Sequence, residues 1–183
     1  NGTEVVGICD LYETRVNETI NSIKTENPIK GYWGKDNLWI KMIEDTKPDI
    51  VFISTNWDNH APMAIKSMEL GSHAFVEVPL ANSIEDLWRI VNASEKTRKH
   101  CMMLENVNYG REELMFLNIC RKGLIGELIH GEAAYIHDLR SQMLQKDATS
   151  FDSHPGTGSW RTRQYAKSVG NLYPTHGLGP VAQ

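Results

Sequence analysis

Short apolar runs alternating with amphipathic segments fill residues 4–121 and decide most of what this chain can become. "EVVGICD" is a run that ends in Asp10, after which Val16, Ile20 and Ile23 recur at helical spacing. Asp36 precedes a second short helix carrying Leu38, Trp39, Met42 and Ile43, stopped before Pro48. "DIVFIST" is uninterrupted, the pattern of a strand buried on both faces. "HAPMAIKSMEL" reads as a helix with Gly71 as its C-terminal stop, and "HAFVEV" as the next strand. Ser83 with Asp86 three residues on forms a capping-box start for a helix that runs to about Lys99. "CMMLEN" is a further strand and "REELMFLNICRK" a further helix, ended by Gly123. Such alternation implies parallel pairing through right-handed crossovers. The expected class is α/β, a Rossmann-like doubly wound parallel sheet.

After Gly126 the rhythm changes. "ELIHGEAAYIHDLR" predicts a longer, alternating strand, and a polar, Gly- and Ser-rich stretch follows it, in which "GTGSWRTRQY" reads as a loop. The predicted division is a partial dinucleotide-binding domain over 1–123 and the incomplete beginning of a second domain over 124–183. A phosphate-gripping G-x-G-x-x-G belongs about 20 residues before an acidic residue placed like Asp10. The first strand and its glycine loop are therefore expected upstream of this sequence. The G-x-G-x-x-A spacing at Gly177, Gly179 and Ala182 lacks the context, because no strand precedes it and a proline interrupts it.

A formal net charge of −4 offers no electrostatic reason for a nucleic-acid or anionic-membrane partner. No apolar run approaches the ~18 residues that cross a bilayer. The three cysteines have no ligand-like spacing and read as small buried apolar residues. None of the seven histidines forms H-x-x-x-H or a Cys/His cluster, so no metal is expected. No G-x-S-x-G is present, which argues against acyl transfer by a serine. Compartment stays open: periplasmic or secreted with a leader, cytoplasmic without one. A homo-oligomer is left open too.

Parallel sheets bind ligands beyond the carboxyl ends of their strands. Here those ends are Asp10, "TNWDNH" at 55–60, "EVP" at 77–79 and "ENVNY" at 105–109. Asp10 suits the two hydroxyls of an adenosine ribose, or equally a helix cap. Trp57 to His60 offer an indole for a flat ring and Asn59 for ribose or phosphate oxygens; the other reading is a loop Trp over the core edge with Asp58 or Asn59 as cap. Glu77 ends a strand with its carboxylate at the rim, and Pro79 admits a cis bond. Tyr135 is by default an amphipathic sheet residue, and Arg161 a solvated loop cation. Tyr173 and His176 share a face if Pro174 begins a helical turn. Such a pair is either structural or a device for moving protons near neutral pH.

Taken together, "TNWDNHAPMA", "GSHAFVEVP", "ENVNYGREELM", "YIHDLR" and "GNLYPTHGLGPVA" resemble the glucose–fructose oxidoreductase and inositol dehydrogenase superfamily, in which a Rossmann domain is joined to an open α/β sheet domain. Within it the likeness is to glycoside hydrolase family 109, the NAD-dependent α-N-acetylgalactosaminidases. It spans nearly the whole chain and under half of a typical member. One departure from the wider superfamily is Val78, which stands where sugar dehydrogenases commonly carry the lysine of Glu-Lys-Pro and which cannot move a proton.

The resemblance implies NAD as cofactor, held by Asp10, Trp57, Asp58, Asn59, His60, Glu77, Val78, Asn106 and His176. It makes 124–183 the start of a substrate-binding open α/β domain, with sugar contacts at Tyr135, Arg161, Tyr173, Pro174, Thr175 and His176. The implied reaction removes a terminal α-N-acetylgalactosamine or related sugar by oxidation at carbon 3, elimination, water addition and re-reduction. His176 with Tyr173 would take the hydroxyl proton, and Tyr135 or Glu105 the proton on carbon 2. The alternatives are a plain NAD(P)-dependent sugar dehydrogenase and a non-catalytic cofactor-binding fragment.

Overall fold

The computed structural model describes residues 2–143 and 160–183. Packing divides the chain into two units, residues 1–76 with 80–102 and residues 77–79 with 103–183. The first unit follows the expected alternation: β1 (Gly7–Asp10), α1 (Glu13–Ser22), β2 (Lys30–Trp33), α2 (Leu38–Thr46), β3 (Ile50–Ile53), α3 (Trp57–Glu69), β4 (His73–Glu77) and α4 (Ile84–Thr97). Strand β5 (Cys101–Leu104) carries the chain into the second unit, which holds a 3-10 turn at Val107–Tyr109, α5 (Arg111–Arg121), α6 (Arg140–Met143), α7 (Trp160–Lys167) and α8 (Pro174–Ala182).

The strands among the described residues form two sheets. Strand β1 pairs with β2 in parallel, and β3, β4 and β5 lie in that order with β3 parallel to β4. In the doubly wound order 3-2-1-4-5-6 these are the places 3-2 and 4-5-6. No strand among the described residues takes the remaining place, so hydrogen bonding stops there. "KGYW", which has no apolar run and contains a glycine, is a strand that hydropathy alone passes over; its register with β1 is what makes it one. Ile8 pairs with Gly31, and Gly7 is the next residue along β1, so the two glycines open opposite faces of the small sheet. A Cβ on Gly7 would lie 2.9 Å from Met42 Cγ of α2, and one on Gly31 2.9 Å from Val16 Cγ1 of α1. Each face thus receives its helix where a side chain is missing.

The core of the first unit lies between β3–β4 and helices α3 and α4. Val51, Ile53, Ala74 and Val76 from the strands meet Ala61, Ala64, Met68, Ile90 and Ala93 from the helices. Each large apolar side chain buried this way contributes about 1.5–3 kcal/mol. Strand β3 is not buried on both faces as its apolar run predicts. Both helices cover one side, and Phe52 on the other is 70% exposed, packed edge-on against its register partner Phe75 at 5.5 Å. Helix ends follow local chemistry. Ser83 Oγ accepts the Asp86 N–H at 3.1 Å, and Gly71 (φ +97) and Gly123 (φ +65) leave α3 and α5 in the left-handed region.

Two expectations for the second unit need correction. The alternating segment 127–139 forms no strand, because no strand among the described residues takes its backbone hydrogen bonds. Arg161 lies in helix α7, not in a loop; "WRTRQYAK" contains no glycine or proline to interrupt it. Pro174 does begin a helix, which runs for nine residues over 174–182. Pro174 occupies its first position, where a missing N–H costs nothing, and Asn171 Oδ1 accepts the Tyr173 N–H at 3.0 Å on the way in. The G-x-G-x-x-A spacing sits inside this helix. Gly179 is small for packing: a Cβ there would overlap the Asn108 amide. The three cysteines are free thiols and only half-buried. Among the described residues no helix is long and apolar enough to cross a membrane.

Candidate active site

In the first unit, Asp10 closes β1. Its Oδ1 accepts the Tyr12 N–H at 2.9 Å. A carboxylate has about four acceptor positions, so capacity remains for ribose hydroxyls. Beyond β3, Asn56 stands at the N-cap of α3, yet its side chain does not cap; the Asn59 N–H goes to the Asn56 backbone carbonyl at 3.0 Å. Asn56 Oδ1 is left buried with no hydrogen-bond partner, an acceptor suited to a polar ligand and not among the residues singled out from sequence. A dinucleotide's hydroxyl donors fit both groups. Trp57 to His60 form the first turn of α3. Trp57 is buried and His60 fully so, with His60 Nε2–H donating to the Thr55 carbonyl at 3.1 Å. Asp58 accepts the Asn82 amide at 2.9 Å, and Asn59 is exposed.

In the second unit, Glu77 is exposed, Val78 is buried, and the Val78–Pro79 peptide is cis. Asn106 is exposed at the N-cap of the 3-10 turn. Glu105, just after β5, is 1% exposed. Its Oε1 accepts the Val107 N–H at 3.1 Å and lies 2.6 Å from His176 Nδ1. The approach is close but off the hydrogen-bond line, so its strength is that of an ion pair when the ring carries a proton. Glu105 Oε2 is buried without a hydrogen-bond partner. A carboxylate in such a place is costly unless a charge beside it compensates.

Aromatic rings surround the imidazole. Tyr135 meets it edge-on with centroids 4.6 Å apart, and Tyr173 lies at 5.2 Å. Tyr135 and Tyr173 are 5.9 Å apart, and the Tyr135 hydroxyl is 3.4 Å from His137 Nδ1. Helix α7 brings Arg161 to the same place, where Nη1 donates to the Tyr173 oxygen and the guanidinium stacks on Trp160 at 4.9 Å. Burial pushes the Tyr173 phenol up to about 12, and the Arg161 charge pulls the other way without reversing it. At neutral pH about one phenol in 10^5 is ionised, so Tyr173 serves as a neutral hydrogen-bonding group. Pro174 is exposed and Thr175 half-buried beside it.

The structure therefore gathers Glu105, Tyr135, Arg161, Tyr173 and His176 into one cluster from four separate stretches of sequence. Comparison with known proteins agrees with the fold and names the family. Residues 1–105 match the oxidoreductase family with an NAD-binding Rossmann fold, and residues 109–183 match the C-terminal domain of glycosyl hydrolase 109. Glycosyl hydrolase family 109 protein 2 of Akkermansia muciniphila is 53% identical across the whole of this chain. This chain belongs to glycosyl hydrolase family 109. It spans 37% of that relative's length. Among solved structures, myo-inositol 2-dehydrogenase of Lactobacillus plantarum superposes with a TM-score of 0.60, at 20% identity, over 70% of this chain and 36% of its own. The WlbA dehydrogenase of Bordetella pertussis, crystallised with NADH and UDP-GlcNAcA, gives 0.57 at 19% identity over 67% and 35%. Both show a Rossmann-type α/β fold. Residues 1–105 of this family 109 chain thus form an NAD-binding Rossmann domain.

Proposed function

We propose that the enzyme removes a terminal α-N-acetylgalactosamine, or a closely related sugar, by a redox-assisted elimination. The observation that supports this reading is the buried Glu105–His176 pair with the Tyr135 and Tyr173 rings against the imidazole. NAD, when bound, supplies a hydride acceptor and donor for carbon 3 of the sugar. Asp10 and Asn56 are the residues of the first unit whose acceptors suit it. His176 takes the proton of the carbon 3 hydroxyl while Glu105 balances the charge that the ring gains. With carbon 3 at the ketone level the hydrogen on carbon 2 is acidic, and Tyr135 abstracts it as the glycosidic oxygen leaves carbon 1; the aglycone oxygen takes the proton that the added water gives up. Water then adds at carbon 1, the proton returns to carbon 2, and His176 gives its proton back as the hydroxyl reforms. Arg161 and neutral Tyr173 hold the sugar. No pair of carboxylates is needed at the glycosidic bond, unlike in most glycosidases.

The test is product accounting. The native enzyme, given an aryl α-N-acetylgalactosaminide, should release aglycone with no net rise in NADH absorbance, and His176→Ala should abolish release. NADH accumulating in step with an oxidised sugar would instead identify a plain sugar dehydrogenase. Release that is indifferent to His176→Ala would remove the imidazole from the chemistry.

A further inference from the structure

Helix α7 carries two groups that meet Tyr173. Arg161 and Tyr165 are four residues apart and share a helix face. Arg161 donates to the Tyr173 oxygen while its guanidinium rests on the Trp160 ring. The Tyr165 ring lies 6.5 Å from the Tyr173 ring at 50°, and its hydroxyl is buried. Thr162 of the same helix ties α7 to α6, donating to the Met143 carbonyl at 2.6 Å. We propose that Tyr165 is a positioning residue for Tyr173: with Arg161 one turn earlier, it fixes the direction of the Tyr173 hydroxyl against the sugar. The inference rests on the sugar-binding role assigned above to the Tyr173–His176 helix start.

The argument is one of donors and acceptors. A guanidinium only donates, so toward Arg161 the Tyr173 oxygen must accept. The Tyr173 proton is then turned away from Arg161, and a second hydroxyl in a water-poor place selects where it points. With the rotor set before the sugar arrives, less ordering is lost on binding. Tyr165 was not visible in the sequence as a site residue, since "RQYAK" carries no motif. Its role comes from the helix that places it beside Tyr173.

The experiment is a double-mutant cycle in the native enzyme, read by calorimetric affinity for free N-acetylgalactosamine and by kcat and KM on the aryl glycoside. Tyr165→Phe removes only the hydroxyl. It should weaken sugar affinity and raise KM by about three- to tenfold, the effect of one ordinary hydrogen bond, leaving NAD affinity and melting midpoint unchanged. In a Tyr173→Phe background the same substitution should have no further effect, because there is no rotor left to direct. Additive losses, or a Tyr165→Phe enzyme that binds sugar like the native one, overturn the proposal and leave the proposed function standing. A Tyr173→Phe enzyme with native affinity and turnover breaks the underlying site assignment instead. If Tyr165→Phe lowers the melting midpoint, the cycle is repeated with Tyr165→His, and additivity there overturns the proposal equally.

Discussion

Replacing Glu105 with glutamine isolates the charge of the buried pair from its shape. The amide carbonyl can still accept the Val107 N–H that Glu105 Oε1 takes at 3.1 Å, so the backbone after β5 keeps its bond. The amide nitrogen then falls where Oε2 lies buried without a hydrogen-bond partner. Unpaired donors there cost about 1–3 kcal/mol, offset by the relief of no longer burying a carboxylate. The melting midpoint should accordingly stay within ~3 °C of native. Turnover should not. A carboxylate touching the imidazole, with its Oε1 2.6 Å from Nδ1, stabilises any charge the ring gains in the reaction. At an effective dielectric constant of about 20 two unit charges about 4 Å apart attract by roughly 4 kcal/mol. That is an upper bound equivalent to about three decades in rate. We expect kcat on the aryl glycoside to fall about 100- to 1,000-fold, with NAD affinity preserved. A Glu105→Gln enzyme that folds and turns over within about threefold of native would refute the charge-balancing argument and leave Glu105 a packing residue.

Three further outcomes follow from the first unit. Burial pushes the Cys9 and Cys101 thiols up to about 11, with Asp10 adding to the effect at Cys9. Their contribution to stability is full below the ordinary thiol value of 9.0 and is lost as pH rises through about 11. Iodoacetamide at pH 8, followed by mass spectrometry, should label both about a hundredfold more slowly in the native than in the denatured protein, and equal rates would contradict their burial. Ser83→Ala removes the cap of α4 and should cost about 1 kcal/mol in a denaturant melt; no loss would mean that water caps the helix equally well. Gly31→Ala sets a methyl group 2.9 Å from the fully buried Val16, and overpacking of about 1–3 kcal/mol should outweigh the gain in strand propensity. A more stable Gly31→Ala protein would show that α1 can move off β2 freely.

Much of the first unit was legible before any coordinates. The apolar run of β3, the periodicity of α3 and the Ser83–Asp86 start of α4 are local signals, and each produces its element where expected. β2 was not legible, because "KGYW" becomes a strand only by pairing with β1. Nor was the exposure of Phe52, which depends on which face the helices cover. At the site, Tyr173 and His176 were readable as a pair because Pro174 marks a helix start between them. Arg161 was readable only by family likeness, and its loop assignment was wrong. Tyr165 and Trp160 carried no signal as site residues, and Asn56 lay within the rim segment "TNWDNH" without standing out from it.

Sequence alone settled what depends on neighbours along the chain: the α/β class, the strand–helix order, the helix stops at Gly71 and Gly123, and the family. Tertiary structure decided what depends on neighbours across space. It joined Glu105 to His176 over 71 positions, their difference in numbering, and buried both. It also left segment 127–139 without a ladder, although its pattern alternates like a strand. The physical reason is common to both cases. Periodicity reports the shape a segment prefers, whereas burial of a charge and pairing of a strand are properties of the groups that other segments bring beside it.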